Sequence, residues 1–442
     1  MKFQYLPEQL SVLLVSLVLA SCADTAEGPS GSSAYSASEI PAEKLSPRIY
    51  SVGSGSPDKL AELAAQHNPA IVALRYRAER MEAKVPQEAA LPDPMASISG
   101  GSMAETAAGR VEGMVGASQK IPLPGKRNAA SRAASHEAAA VRAEADAMAL
   151  KVSEQVKSAW WDYYLAEQTI SFTRENRGLL SSIKEIIATR IEADSAAQAD
   201  QLRIDNEISI LDRDLKDLEK VRSSSKARIN SLLNRPAGST LPSPRAPSIP
   251  ATSSLDSLIA RAEATHPDIN AAEQRVSAFN ERLRKAKLER FPDPTVGVTY
   301  SPVSGSGLAG SSNGRDQVFA TLGFNIPLWQ EPRRAMVREA SAGIAETEAL
   351  LQSSRAEIRY RVEDAYFRAK TAREVTALYQ DRLIPSAKQA GEVTLTGYSS
   401  GESSFTDVIG TQREILTYQL QLIKSRAELG KAIATLEAAA AL

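Results

Sequence analysis

The sequence predicts a mainly α-helical fold with a small β part, built from one helix–hairpin–long helix–helix unit used twice. Three observations carry this. Long Ala-, Glu- and Arg-rich stretches with few breakers fill most of the 442 residues, and Ala is the best helix former. Between them lie short stretches such as "FPDPTVGVTYS" at 291–301, where apolar and polar residues alternate with the period of a two-faced strand. The chain also matches itself. "HNPAIVAL" (67–74) answers "THPDINAA" (265–272), and "LPDPMASISG" (91–100) answers "FPDPTVGVTY" (291–300). "SQKIPLPGKR" (118–127) then answers "GFNIPLWQEPRR" (323–334), and "AQADQLRIDNEI" (197–208) answers "SFTDVIGTQREI" (404–415). Four matches in one order mark a duplicated supersecondary unit.

Composition removes several function classes. With 52 basic against 53 acidic residues no global field points to nucleic acid or an anionic surface. Aromatics make up only 5%, low for a thick globular core. Three His and one Cys leave no disulfide framework and no Cys-rich zinc site within one chain.

The N-terminus has Lys2 and then "LSVLLVSLVLASC", an apolar run short for a membrane span and ending in small residues. Leu19-Ala20-Ser21-Cys22 resembles the bacterial lipobox, in which the Cys is lipidated and becomes the mature N-terminus. Residues 1–21 are therefore expected to be a lipoprotein signal peptide and Cys22 the lipidation site of an exported protein. No later stretch reaches the roughly 18 apolar residues of a membrane helix.

From there the elements follow in order. Residues 22–56 form a Ser-, Ala- and Gly-rich linker. The first repeat, 57–235, opens with a helix from Pro57 to about Ala90 and strands at Met95–Ala104 and Val111–Leu123 around a loop at Glu105–Gly109. No proline interrupts Arg127 to about Ala188, a helix roughly 90 Å long at about 1.5 Å per residue. After "RIEADSAA" a helix runs from about Gln198 to Asn234, with Ile204, Ile208, Leu211, Leu215 and Leu218 spaced as a coiled-coil seam. The Pro-rich linker 236–250 cannot be helical. The second repeat, 251–442, follows the same plan, with Leu416, Leu420, Ile423 and Ala427 in the matching seam. Pro385 stands within a residue of the register of Gly178, which suggests one bend shared by both long helices.

Each repeat supplies one hairpin, so the chain supplies four strands. Val318, Ala320, Leu322, Phe324, Ile326 and Leu328 line one face, opposite Thr321, Gly323 and Asn325. Each strand has about the ten residues that cross a bilayer when tilted. Four strands cannot close a barrel, and an open sheet in lipid leaves its edges unsatisfied. The helices are too poor in large apolar residues to cover the sheet as a soluble layer. The strands therefore want partners from other chains.

The duplicated plan, the "IPLPGKR" junction and the "YSSGESSFTDVI" turn resemble the TolC family of outer-membrane efflux channels, over roughly Pro57 to Leu442. The resemblance implies a homotrimer, with a twelve-stranded outer-membrane β-barrel on a twelve-helix periplasmic α-barrel. It also implies outer membrane lipid around the barrel, a periplasmic adaptor (membrane fusion) protein, and an inner-membrane pump of the resistance-nodulation-division type. The "IPLPGKR" form of the junction leans toward the heavy-metal (cobalt-zinc-cadmium type) branch. In the family, Asp and Tyr residues at the turns beyond the long helices latch the closed periplasmic mouth. Asp200, Tyr398 and Asp407 match those positions. Gly410 stands where some members carry a second Asp, and Glu402 to Ser404 supplies no Arg. The plain alternative is that the Asp residues cap helices at a solvated turn.

No other motif carries chemistry. "GSGLAG" (305–310) has the letters of a dinucleotide fingerprint, but a second strand follows it instead of a helix, so it is a hairpin loop. His67, His136 and His266 lie far apart, with helix-start or surface roles. No catalytic residue, metal site, cofactor or nucleic acid partner is expected. The reading is a passive export duct for metal cations or drugs. Its rivals are a periplasmic coiled-coil structural lipoprotein, which the paired amphipathic hairpins disfavour, and a pump adaptor subunit, which needs one helical hairpin between β-rich domains.

Overall fold

The structure, a computed structural model, describes residues 55–100, 105–106, 109–192, 198–247, 253–305 and 314–442. The signal peptide, Cys22, residues 193–197 of "RIEADSAA" and residues 306–310 of "GSGLAG" lie outside the described residues. In the first repeat, α1 (Pro57–His67), α2 (Pro69–Glu82) and α3 (Lys84–Ala89) lead to β1 (Met95–Gly100). Then come β2 (Glu105–Thr106), β3 (Gly109–Val111), β4 (Gly113–Lys120), α4 (Pro124–Glu192) and α5 (Gln198–Leu232). The second repeat has α6 (Leu255–Thr265), α7 (Pro267–Leu288), β5 (Pro294–Ser301), β6 (Val303–Ser304) and β7 (Gln317–Phe324). It ends with α8 (Gln330–Leu378), a π-helical turn (Tyr379–Leu383), α9 (Ile384–Ser400) and α10 (Phe405–Ala439). No helix among the described residues is long and apolar enough to cross a membrane.

The helix expected from Pro57 to Ala90 is broken. Asn68 adopts an extended backbone (φ −68°, ψ 123°) and its side chain caps the helix that starts at Pro69, accepting from the Ala70 N–H at 2.9 Å. A residue before proline is pushed out of helical backbone, and proline is welcome at a first helical position. His266 does the same before Pro267, at the position that the repeat match sets opposite Asn68. A second break at Ala83 separates α2 from α3.

The long first helix spans 69 residues, roughly 100 Å, and passes Gly178 without interruption. The bend inferred from Gly178 and Pro385 is therefore not shared, and register explains why. Val152, Val156 and Ala159 of α4 are buried at positions matched by Ile358, Val362 and Ala365 of α8, an offset of 206. Beyond the π turn the offset is 207. Buried Leu180 answers buried Ala387, and Asn234 (φ 53°) answers Ala441 (φ 51°) at the ends of α5 and α10. One extra residue separates the repeats, and a π turn is how a helix absorbs one.

All four main strands join one antiparallel sheet in the order β1-β4-β5-β7, so the two hairpins pair directly through β4 and β5. Ile98, Val115, Tyr300 and Val318 stand in one cross-strand row, and Ala96, Ala117, Val298 and Ala320 in the next. Gly116, Thr299 and Phe319 share a row on the other face, and Ser118, Gly297 and Thr321 another. The expected alternation is thus in phase across the sheet, with one apolar face and one mostly small and polar face. The first hairpin's second strand is shorter than expected, ending at Lys120, and it is divided. Val111 pairs with Val303 and Val115 with Tyr300, four residues against three, which is a β-bulge around Glu112 and Pro302.

The sheet meets the helices at a buried charge cluster. Lys126, beside the Pro124 start of α4, places its Nζ 2.8 Å from Asp293 Oδ1 and 3.3 Å from Glu289 Oε2, and donates to the Phe291 carbonyl at 2.9 Å. Asp293 also accepts from the Leu123 N–H at 3.3 Å and approaches Lys120 Nζ at 3.6 Å. Each repeat adds an arginine tie of its own: Arg127 donates to the Ala89 carbonyl, and Arg333 to that of Glu289.

Candidate functional site

The best-defined polar constellation lies where the long helices turn back. The α9 helix ends in Gly401, at φ 89°, a left-handed conformation that glycine adopts without strain. Glu402 and Ser403 return their N–H groups to the Gly397 carbonyl at 2.7 and 3.0 Å. Ser404 then starts α10 with a capping box. Its Oγ accepts from the Asp407 N–H at 3.2 Å, while Asp407 Oδ2 accepts from the Ser404 N–H at 3.1 Å and from its hydroxyl at 2.6 Å. Those bonds from the Ser404 side chain and backbone hold the Asp407 carboxyl below the usual carboxylate range. It is ionised and exposed at neutral pH.

Beneath this turn is an apolar cluster made by both repeats. Leu180, Ile183 and Ile187 of α4 and Ile204 and Leu211 of α5 pack with Tyr398, Phe405, Val408 and Ile409. The Tyr398 and Phe405 rings are 5.9 Å apart. Burial pushes the Tyr398 phenol up, opposed by the Arg190 charge and aided by Asp200. Its hydroxyl is buried and has no hydrogen-bond partner among the described residues, so within one chain Asp407 is not its acceptor.

Arginines that the sequence did not single out join the repeats here. The Arg190 guanidinium stands 4.5 Å from the centre of the Tyr398 ring and donates to the Tyr398 carbonyl. Arg203 lies 3.7 Å from Asp200 and donates to Thr406 Oγ1 at 3.2 Å, and Arg413 donates to Glu207 from Nε at 3.1 Å. The arginine absent from Glu402–Ser404 is thus supplied by the first repeat. Its signal was invisible, because the partners in the other repeat, Tyr398 and Thr406, lie some two hundred residues away in the chain.

The structure gathers Asp200 and Tyr398 at this end, with Asp407 on the neighbouring turn. Among the described residues no group of His, Cys, Asp and Glu could hold a metal ion. His136 instead faces Gln274 at 2.8 Å, and His266 caps α7.

Comparison with known proteins bears on the whole architecture. The outer membrane efflux protein family matches residues 258–442. The outer membrane efflux protein BepC of Brucella suis is 21% identical over 281 residues, 61% of this chain. That match spans 59% of the BepC length. The pyoverdine export outer membrane protein OpmQ of Pseudomonas putida is 23% identical, with 96% of this chain and 95% of that protein covered. Among solved structures, the outer membrane protein VceC from Vibrio cholerae has the same fold. The TM-score is 0.71 at 17% identity, covering 87% of this chain and 95% of VceC.

Proposed function

We propose, on the premise that residues 258–442 belong to the outer membrane efflux protein family, that three copies of this chain form the exit duct of a tripartite efflux system. The observation that carries this is the four-stranded sheet. Its apolar face is open: Ile98, Val298, Val318 and Leu322 are between 56% and 74% exposed. The outer edges of β1 and β7 have no partner strand among the described residues. A hydrocarbon environment accepts the face but not the edges, since unpaired backbone groups there cost several kcal/mol each, of order ~4. Three copies joined edge to edge make twelve strands and leave no edge. Trp329, 78% exposed just beyond β7, is an aromatic side chain of the kind that marks a barrel's water interface.

The helical part then forms a twelve-helix tunnel in the periplasm, reaching an adaptor and a pump of the resistance-nodulation-division type. The duct performs no chemistry and conducts passively what the pump delivers. Metal export, the reading its "IPLPGKR" junction supports, needs no ligand set of the duct's own. The protein extracted from outer membranes in detergent is expected to have the mass of a trimer and to conduct ions in planar bilayers. A monodisperse monomer that conducts equally well overturns the proposal.

Cys22 anchors the mature chain through a lipid, in addition to the barrel. Cys22→Ser is expected to abolish labelling with a radioactive fatty acid while the channel stays inserted. Undiminished labelling rejects the anchor.

A further inference from the structure

Inside the chain, α4 is covered by the second repeat through α7 and α10. Trp161, 4% exposed, packs against Gly430 of α10, where a Cβ would overlap the indole. Nearer the barrel along the same face, Glu154 accepts a hydrogen bond from Thr435 at 2.8 Å. One repeat further on, both arrangements recur with only half of each contact made.

The two registers established above identify the halves. With the offset of 206 between α4 and α8, Trp161 corresponds to Phe367 and Glu154 to Tyr360. These side chains are 55% and 61% exposed. With the offset of 207 between α5 and α10, Gly430 corresponds to Ser223 and Thr435 to Arg228, both exposed on α5. That second register holds at both ends of the helix. Asp200 answers Asp407, and the bond from the Arg235 N–H to the Asn230 carbonyl answers the one from Leu442 to Glu437.

We infer that α5 of a second copy lies on α8 as α10 lies on α4 within the chain, with the neighbouring copy's Ser223 under Phe367 and its Arg228 beside Tyr360. This rests on the oligomeric reading above and supplies its helical interface. The chemistry of each pair fits. A phenyl ring is smaller than an indole, which leaves room for the one Cβ that serine has and glycine lacks. A guanidinium against an exposed tyrosine face is a favourable cation–π pair. Continuity with the sheet fits as well. Within the chain the second strand of the first repeat, β4, pairs with the first strand of the second, β5. The same step from one copy to the next joins β7 to the neighbour's β1, the two strands left bare.

The test uses full-length protein in detergent carrying Phe367→Cys and Ser223→Cys together, treated with a mild oxidant. A covalent ladder of dimer and trimer on non-reducing gels is expected, absent from either single variant. The native mass is measured beside it. A trimer that gives no ladder overturns this interface and leaves the trimeric reading standing, whereas a monomeric wild-type mass overturns both. Ser223→Trp provides a check that needs no cross-link. The site is exposed in the single chain, so the chain folds, but the interface has no space for an indole under the Phe367 ring. Loss of trimer is expected, and an unchanged trimer overturns the inference. Phe367→Trp combined with Ser223→Gly, which transplants the in-chain pair, is expected to retain the trimer.

Discussion

Replacing Asp293 by Ala is expected to lower the stability of the folded chain by about 3 kcal/mol, toward the lower end of what breaking a buried ion pair costs. The Lys126 and Asp293 side chains are 5% and 7% exposed at a separation of 2.8 Å. Losing the carboxylate leaves the ammonium buried with the Phe291 carbonyl and with Glu289, whose side chain is 33% exposed and pairs at 3.3 Å. Glu289 offsets part of the cost, which is why the figure sits low in the range. The loss also frees the Leu123 N–H at the point where the chain passes from β4 into α4. Replacing both partners, Lys126→Met with Asp293→Leu, is expected to recover most of the stability, because an apolar pair of similar volume carries no desolvation penalty. Thermal unfolding of the detergent-solubilised protein reads both. A single variant that loses less than about 1 kcal/mol shows that the pair is solvated after all.

The two-repeat plan was legible because helices and strands write their periods into the chain locally. The alternation of Val296, Val298 and Tyr300 set the strand face, and the pairing of Val298 with Ala117 and Ala320 put that face in phase with its neighbours. Local signals stop where two segments must meet. Nothing in "IPLPGKR" announces that Lys126 ends buried against Asp293, because the two lie 167 residues apart. The missing bend at Gly178 has the same origin. Glycine lowers helix propensity by about 1 kcal/mol, too little to break a helix packed along its length. The π turn beside Pro385 answers a one-residue difference that shows only when the repeats are aligned by burial. At the periplasmic end the sequence offered Asp407 as a helix cap, whereas the cap is Ser404, with Asp407 three residues on completing the box. The arginines were not readable, since Arg190, Arg203 and Arg413 reach the Tyr398 ring and carbonyl, the Thr406 hydroxyl and the Glu207 carboxylate in the other repeat.

Two substitutions at Asp407 are expected to separate closure of the mouth from helix capping. Ser404 is the cap and Asp407 the acceptor three residues on. An amide oxygen accepts from the same Ser404 N–H and hydroxyl, so Asp407→Asn keeps those bonds and removes only the charge. Alanine removes both the bonds and the charge, at a cost of about 1 kcal/mol to the start of α10. If Asp407 only caps, Asn is silent and Ala merely loosens the turn. We propose instead that Asp407 latches the mouth, as the resemblance implies: the three carboxylates then meet across a narrow opening, where a ring of acidic groups holds cations, and Asn already raises resting conductance. Tyr398→Phe completes the argument. Its hydroxyl is buried without a partner among the described residues, which in a lone chain makes its removal neutral or favourable. Should a neighbouring copy's carboxylate accept from it, the same substitution opens the mouth while Phe405 still packs on the ring. For the double variant, a loss of about 1 kcal/mol of closure shifts the ratio of open to closed channels about fivefold. Acid mimics the Asn variant with a defined sign. The folded carboxyl sits below its usual range, so the charge persists through neutral pH and is lost only as pH falls below about 4. Single-channel recording of intact trimers measures all of this. Trimers whose resting conductance is unchanged in Asp407→Asn combined with Tyr398→Phe would leave these residues as ordinary structure at a helix turn.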